Sequence, residues 1–429
     1  MKKTISFYTL GCRSNQSETA VLRNLFEQNG YTIIPEFKHS DVAVINTCTV
    51  TEKGDRDARK LVQRIKRSNP NVRVAMIGCQ AQTQSEELKL FPGVRWIVGN
   101  AEKMNLISFI EEIKIGKSPY VSTPPIPKKG FTMPAPGIDK TRTRANIKIQ
   151  DGCESFCSYC EVPYARGGSR SRDFDDVLKE AKQLADAGHK ELVLTGINVG
   201  MYCDSGRTIL DVVKKVGEIL SVERIRISSI EPNTIPDDLI LLMGTKTKLC
   251  RYLHIPIQSM SDKILDFMGR SYSQAEIDLF FEFVTHNVDG VCLGADVIVG
   301  FPGETEDDFD DTYEFLVNSP LAYFHVFSYS DRKLAKSRNF PNHVDPVVIQ
   351  TRSAILRQLS LRKKKEFLSS FIGRTEKVLF EEKKKGYWLG LTDNYIRVKV
   401  ASKERLHNEL LPVHLQECHE DTLLGAVAK

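Results

Sequence analysis

Residues 146–160 read NIKIQDGCESFCSYC. Asn146–Gln150 alternates apolar and polar residues, the pattern of a β-strand. Directly after it come Cys153, Cys157 and Cys160, spaced C-x3-C-x2-C. Three thiolates on one tight loop can hold three irons of a [4Fe–4S] cluster, because thiolate is the preferred ligand of such clusters. The fourth iron would then have no protein ligand. Like the open position on a catalytic zinc, that vacancy is where a substrate or cofactor binds. A zinc loop and a chance spacing are the competing readings. Zinc wants a fourth Cys or His nearby, and the flanking residues offer none, although Cys203 could reach in from another loop.

Outward from this loop, strand candidates continue at Glu191–Thr195, Arg224–Ile230, Leu253–Gln258, Gly294–Val299 and Tyr323–Ser328. Helix-length stretches lie between them, such as Asp173–Ala187, Thr208–Leu220 and Glu304–Val317. Six β/α units predict a barrel or part-barrel whose working end is the carboxyl edge of its strands. A basic helix follows at Pro346–Phe371, with Arg352, Arg357, Arg362, Lys363, Lys364 and Lys365. The tail reads as a small all-β module, with short strands at Glu376–Glu381, Tyr387–Thr392, Ile396–Val400 and Leu411–Gln416.

Before the loop, residues 117–144 carry six prolines and two glycines, which mark a linker. Ahead of it, strands at Ile5–Leu10, Val42–Asn46, Arg73–Ile77 and Arg95–Val98 alternate with helices at Gln16–Gln28 and Asp55–Arg67. That rhythm predicts a doubly wound parallel sheet. The expected domains are therefore 1–116, a linker 117–144, a barrel with its basic helix at 145–371, and a β module at 372–429. The fold class is α/β with a small all-β addition.

The chain has 429 residues, 41% apolar and 27% charged, which excludes a largely disordered protein. No apolar run approaches the roughly 20 residues of a membrane helix. The start, MKKTISFYTLGCRSNQ, has polar interruptions and no cleavage site, so it reads as a strand rather than a signal peptide. A cytoplasmic protein without a membrane partner is expected. The net charge of +5 does not by itself indicate nucleic-acid binding. No GxGxxG motif points to NAD.

Ten cysteines in such a protein are buried thiols or metal ligands rather than a disulfide framework. Cys12, Cys48 and Cys79 each follow a strand candidate, so all three should emerge at the carboxyl edge of the first sheet, where open α/β sheets bind ligands. A second three-thiolate site and three ordinary buried thiols are both open readings of these residues. Cys203, Cys250, Cys292 and Cys418 follow no such pattern. His254 reads as a hydrogen-bonded barrel residue.

The run DGCESFCSYCEVPYARGGSRSR at 151–172 resembles the radical S-adenosylmethionine (SAM) superfamily and, within it, the methylthiotransferases. So do ELVLTGINVG at 191–200, LHIPIQSMSDKILDFMGRSYS at 253–273 and GADVIVGFPGET at 294–305. TLGCRSNQSET at 9–19, NTCTVT at 46–51 and GCQAQ at 78–82 are similar to the family's three-cysteine domain, and the tail to its TRAM module, a β-barrel associated with RNA. RIRISSIEP at 224–232 and GCQAQ lean toward the branch acting on threonylcarbamoyladenosine in tRNA. Other branches act on isopentenyladenosine in tRNA or on a ribosomal-protein aspartate. Three positions depart from the pattern: Met260 for a glycine, Glu161 for an apolar residue, and DRKLAKS at 331–337 without a glycine–threonine pair.

The resemblance implies two [4Fe–4S] clusters, at Cys153, Cys157 and Cys160 and at Cys12, Cys48 and Cys79. The first would bind SAM and cleave it to a radical that attacks C2 of the adenine. The second would supply sulfur, and a second SAM the methyl group. Tyr159 is expected against the SAM adenine and Thr195 and Gly196 against its amino group, with Glu231 and Gln258 facing SAM or substrate. Arg357, Arg362, Lys363, Lys364 and Lys365 are expected to meet the tRNA anticodon loop. An electron donor such as a flavodoxin or ferredoxin and a sulfur source are the further partners. A non-catalytic iron–sulfur RNA-binding redox sensor is the rival of another class. A cobalamin enzyme would need a D-x-H-x-x-G segment, which is absent.

Overall fold

The computed structural model describes residues 3–113, 116, 118–139 and 142–428. Its first sheet is wholly parallel, in the order Thr32–Ile33, Thr4–Thr9, Val42–Thr47, Arg73–Gly78, Val94–Val98, Tyr120–Ser122. Apolar cores cover both faces, as a doubly wound sheet requires. The last strand corrects the expected end of this sheet at residue 116. Tyr120 pairs with Trp96 immediately after Pro119, which an edge strand tolerates because it need not donate on both sides. Lys117, Lys140 and Thr141 of the expected linker lie outside the described residues. The rest of it is pinned rather than loose. The Met133 and Gly137 amides donate to Asp176 and Glu180 on the helix Phe174–Asp186, and Asn24 donates to the Pro136 carbonyl.

The barrel strands form two parallel triplets. One is Arg224–Ile227, Glu191–Thr195, Arg144–Lys148; the other is Tyr252–Gln258, Cys292–Val299, Tyr323–Ser328. Isolated bridges Ile225–Leu249 and Ser229–His254 join them into a six-stranded part-barrel around one large apolar core. The third strand is shorter than expected, because Ser228 and Ser229 leave the ladder toward that seam.

The tail closes into a five-stranded barrel: Thr375–Lys384, Tyr387–Leu391, Arg397–Ala401, Thr422–Val427, Leu410–His419. The sequence reading missed Thr422–Val427. This strand completes the closure by pairing in parallel with Arg397–Ala401, which removes both sheet edges. Among the described residues no helix is long and apolar enough to cross a membrane.

The module docks on the amino ends of the barrel strands through arginines at strand starts. Arg224 donates to the Leu391 carbonyl at 2.8 Å, and Arg226 to the Asp393 carbonyl at 2.8 Å. Arg251 pairs with Asp393 at 2.7 Å and Glu376 at 2.9 Å. Arg226 also pairs with the fully buried Glu191 at 2.6 Å. Burial alone would raise the Glu191 carboxyl, but Arg226, Arg144 and Arg224 hold it down at about 2. Its folded value lies below its ordinary 4.5, so its contribution to stability is complete at neutral pH and is lost as pH falls from 4.5 toward 2. Glu191→Gln should cost about 3 kcal/mol at pH 7. In thermal unfolding at several pH values, the variant should lose less stability than the parent between about pH 5 and pH 2.

Candidate functional site

The C-x3-C-x2-C loop is shaped by glycine. Gly152 has φ +73°, and a Cβ there would meet the Gly168 carbonyl oxygen at 2.0 Å. The loop is then tied down by its backbone. The Cys153 amide donates to Gly167 at 3.1 Å, Ser158 N–H to Met268 at 2.9 Å, and Ser337 N–H to the Ser158 carbonyl at 2.8 Å. Donors already face the sulfurs: Ser155 N–H to Cys153 at 3.5 Å, Val162 N–H to Cys160 at 3.4 Å, and the Arg270 guanidinium to Cys157 at 3.4 Å. Burial nevertheless pushes the Cys160 thiol up to about 12. A thiolate here needs a strongly positive partner.

The other three cysteines emerge from adjacent strands at one sheet edge. Cys12 caps the helix Arg13–Gln28, Cys48 follows Thr47, and Cys79 begins the helix Cys79–Thr83. Gly11, at φ +87°, lets the first loop press against the second; a Cβ there would lie 2.7 Å from the Cys48 Cβ and 2.8 Å from its Sγ. Burial, and then Cys79 and Cys12, push the Cys48 thiol up to about 12. The three thiols therefore sense one another. Yet among the described residues, only His254, Asp296 and His325 bring three potential ligand atoms within 4.8 Å, the spread of a single-ion site. Neither cysteine triad is that tight, so both fit a group of several irons better than one zinc.

Two buried networks hold the triads across from each other. In the first, Glu18 of the first sheet's helix and Asp151 of the cysteine loop share Lys103, Lys148, Arg166 and Arg170. Arg166 lies 3.0 Å from Glu18 and 2.7 Å from Asp151, and Lys148 lies 2.6 Å and 2.7 Å from the same carboxylates. Burial alone would raise the Glu18 carboxyl, but Arg166, Lys103 and Lys148 outweigh it and hold it well below the usual range. Four cations against two carboxylates leave positive charge over, and Arg166 interacts electrostatically with Cys79 and Cys12. Asn100 adds a direct link, donating to Cys79 Sγ at 3.5 Å and to the Ala165 carbonyl at 2.7 Å.

The second network contains two of the three departures. Glu161 is buried, accepts from Thr49 at 2.7 Å and the Leu334 amide at 2.9 Å, and pairs with Arg332 at 3.2 Å. Arg332 reaches on to Asp55 at 2.7 Å and Thr49 at 3.0 Å. Glu161 thus joins the residue after Cys160 to the residue after Cys48. The third departure, Met260, does not strain the chain. It is fully buried in the barrel core with its amide on Thr312 at 3.0 Å, and the left-handed residue of this turn is Gln258, at φ +63°.

A pocket of about 160 Å³ opens where the first domain, the cysteine loop and the barrel meet. Val50 and Thr51 line it from the first domain, Tyr159 from the cysteine loop, and Gln258, Asp296 and Phe327 from the barrel. The Thr195 hydroxyl is buried at its strand end without a hydrogen-bond partner, as a residue awaiting a ligand would be. Gly196 has room for no side chain: a Cβ would meet Gln150 Oε1 at 2.8 Å. Glu231 is occupied, ion-paired with Arg270, which also contacts Cys157 and the Tyr159 hydroxyl. Sequence reasoning missed Arg270, Arg166, Asn100 and Arg332. The first two lie inside the quoted motifs, but a basic residue in a motif does not announce its partner.

The basic helix, Pro346–Ser369, requires a correction. Lys363 is buried and donates to the Val317 and Ser319 carbonyls at 3.0 Å and 2.8 Å, so it fastens the helix to the barrel and is not available to RNA. Arg357, Arg362 and Lys365 are exposed, and Lys364 is half-buried.

Residues 147–316 match the Radical SAM superfamily and residues 4–99 the uncharacterized protein family UPF0004. The threonylcarbamoyladenosine tRNA methylthiotransferase MtaB of Bacillus subtilis is 36% identical, over 96% of this chain and 93% of the relative. That of Aquifex aeolicus is also 36% identical, over 92% and 96%. A tRNA-2-methylthio-N(6)-dimethylallyladenosine synthase of Fusobacterium nucleatum is 32% identical over the full length of both. The radical SAM methyltransferase TsrM from Kitasatospora setae shares the fold, with TM-score 0.54 and 15% identity over 76% of this chain and 73% of that one.

Removing one member of a buried ionic network strands the other. Arg332→Gln should destabilise the protein by about 3 kcal/mol. Adding Glu161→Gln should restore part of that loss, a coupling of about 1–3 kcal/mol in a double-mutant cycle read by chemical denaturation.

Proposed function

The chain belongs to the radical SAM methylthiotransferase family, and from that premise we propose that it adds a methylthio group to C2 of N6-threonylcarbamoyladenosine beside the tRNA anticodon. The observation that carries this reading is that buried ion networks fasten the segments carrying one three-thiol set to those carrying the other: Glu18 and Asp151 share Arg166 and Lys148, and Glu161 after Cys160 accepts from Thr49 after Cys48. A reaction that joins a carbon radical to a sulfur needs both sites within reach of one atom. Identities of 36% to two relatives named for the threonylcarbamoyl substrate, against 32% to one named for the dimethylallyl substrate, favour the former branch.

Cys153, Cys157 and Cys160 would hold the [4Fe–4S] cluster that binds and reductively cleaves SAM, and Cys12, Cys48 and Cys79 the cluster that supplies sulfur. The protein's own groups prepare the site. Arg270 places a fixed positive charge beside Cys157 and pairs with Glu231. Tyr159 presents its ring to the pocket, where a nucleoside base can stack. The unpartnered Thr195 hydroxyl is positioned for the polar end of SAM. Asp151, Arg166 and Glu18 fasten the segments that carry the two thiol triads to each other.

The RNA would cross the exposed cations Arg357, Arg362 and Lys365 and the closed β module, with its target base unstacked into the pocket. A flavodoxin- or ferredoxin-type donor would supply electrons and a separate source would replenish sulfur. A tRNA substrate supports a cytoplasmic setting for the reaction.

Anaerobic reconstitution should give about eight irons per chain, falling to about four when Cys153, Cys157 and Cys160 become Ala. The loaded protein should convert threonylcarbamoyladenosine in tRNA to its 2-methylthio form by nucleoside mass analysis; four irons falling to none, or no product, would sink the proposal. Arg357→Ala with Arg362→Ala and Lys365→Ala should reduce the slope of log affinity against log salt by about 0.7 per lost contact.

A further inference from the structure

A second, larger chamber of about 380 Å³ adjoins the pocket lined by Tyr159 and Asp296. The link is one hydrogen bond: Asp296 lines the pocket, and its carboxylate accepts from His254 Nε2 at 3.0 Å, while His254 and His325 line the chamber. Every part of the chain contributes to its wall. Arg13 comes from the residue after Cys12, Ser228 and Tyr252 from the barrel, Lys364 from the basic helix, and Tyr395 and Arg397 from the β module.

The charge of this chamber is unbalanced. Arg13, Lys364 and Arg397 face one carboxylate, Asp421. Of the three cations, only Lys364 has an ion-pair partner among the described residues, Asp421 at 3.4 Å. Arg13 is positioned by a hydrogen bond to the Tyr395 hydroxyl at 3.2 Å, and Tyr395 stacks on Tyr252 at 4.6 Å. The Ser228 hydroxyl is 94% buried and has no partner. Protein interiors rarely leave such a group unpaired unless a ligand completes it. Unpaired cations, an orphan hydroxyl and the paired hydroxyls of Tyr252 and Tyr323, 2.8 Å apart, together describe a receptor for a small oxyanion with an alcohol beside it.

We propose that this chamber binds the carboxylate and hydroxyl of the threonyl group on N6 of the substrate base, with Arg13, Lys364 and Ser228 as its reading groups. The assignment rests on the tRNA reading above. The reacting carbon and the substituent occupy different edges of the base, so the substituent needs a compartment of its own next to the pocket that holds C2. An apolar dimethylallyl group in the same place would bury Arg13 and Ser228 without satisfying either, and sites built for polar partners reject analogues that lack them. A backbone phosphate is the other source of an oxyanion, and the two sources predict different discrimination.

The test uses the full-length, cluster-loaded protein and fluorescent anticodon stem-loops with threonylcarbamoyladenosine, plain adenosine or isopentenyladenosine at the target position. Anisotropy should show the threonylcarbamoyl stem-loop bound at least about tenfold more tightly than the other two. Arg13→Gln and Ser228→Ala, each checked for unchanged iron content, should erase most of that preference while leaving the affinity for the plain stem-loop intact. Equal weakening of all three stem-loops would assign the chamber to a phosphate and overturn the proposal. Equal affinity of the parent protein for threonylcarbamoyl and isopentenyl stem-loops would overturn it too, while leaving the methylthiotransferase reading in place. Failure to bind or methylthiolate any of the three would remove the tRNA reading itself, and this inference with it.

Discussion

The buried cluster of Glu18, Asp151, Lys103, Lys148 and Arg166 is the constraint on which the rest of this molecule depends. Burying five charges is expensive, and any one left alone is worse, so the cluster tolerates only one relative placement of the two domains. Glu18 and Lys103 belong to the first domain; Lys148, Asp151 and Arg166 come from the barrel strand, the cysteine loop and the short helix after it. The segments that carry the two thiol triads are thereby joined before any cofactor is considered. The surplus of positive charge is directed at sulfur, where anionic clusters would sit.

A second fastening grew where the sequence departs from its family. A carboxylate after the third cysteine of the loop is a liability in a buried site unless something pairs with it. Here Arg332 and Thr49 do, and the result is a strut that binds the loop after Cys160 to the loop after Cys48. The segment after Arg332 follows the same logic, since the Leu334 amide completes the shell of Glu161. Met260 shows a milder case. The turn needs one left-handed residue, Gln258 provides it, and a large side chain two positions later simply fills core.

The opposite end of the barrel is organised by arginines. Arg224, Arg226 and Arg251 sit at strand starts, where they cap backbone carbonyls and carboxylates of the closed β module. That docking brings Tyr395 and Arg397 over the barrel's amino end and encloses the cation-rich chamber. The RIRISSIEP run therefore acts at both places: its arginines hold the module, Ser228 faces the space the module encloses, and Glu231 pairs with Arg270 beside Cys157.

Periodicity and cysteine spacing were enough to read the parallel first sheet, the six barrel strands, the basic helix and four strands of the final module. The C-x3-C-x2-C loop and the three strand-end cysteines were also legible, since a parallel sheet sends all its strand ends to one edge. Tyr120–Ser122 escaped because three residues are too few to show a period, and Thr422–Val427 because its run TLLGAV does not alternate apolar and polar residues. Lys363 looked like its neighbours in a basic run, and only the packing of the helix turned it inward to two carbonyls. Glu18, Asn100, Arg166 and Arg332 gave no local signal at all, because ion pairs 148 and 171 positions apart and a hydrogen bond 65 positions apart exist only once the chain has folded. Local pattern determined the elements and the donor atoms; long-range charge pairing and burial decided which of them face each other.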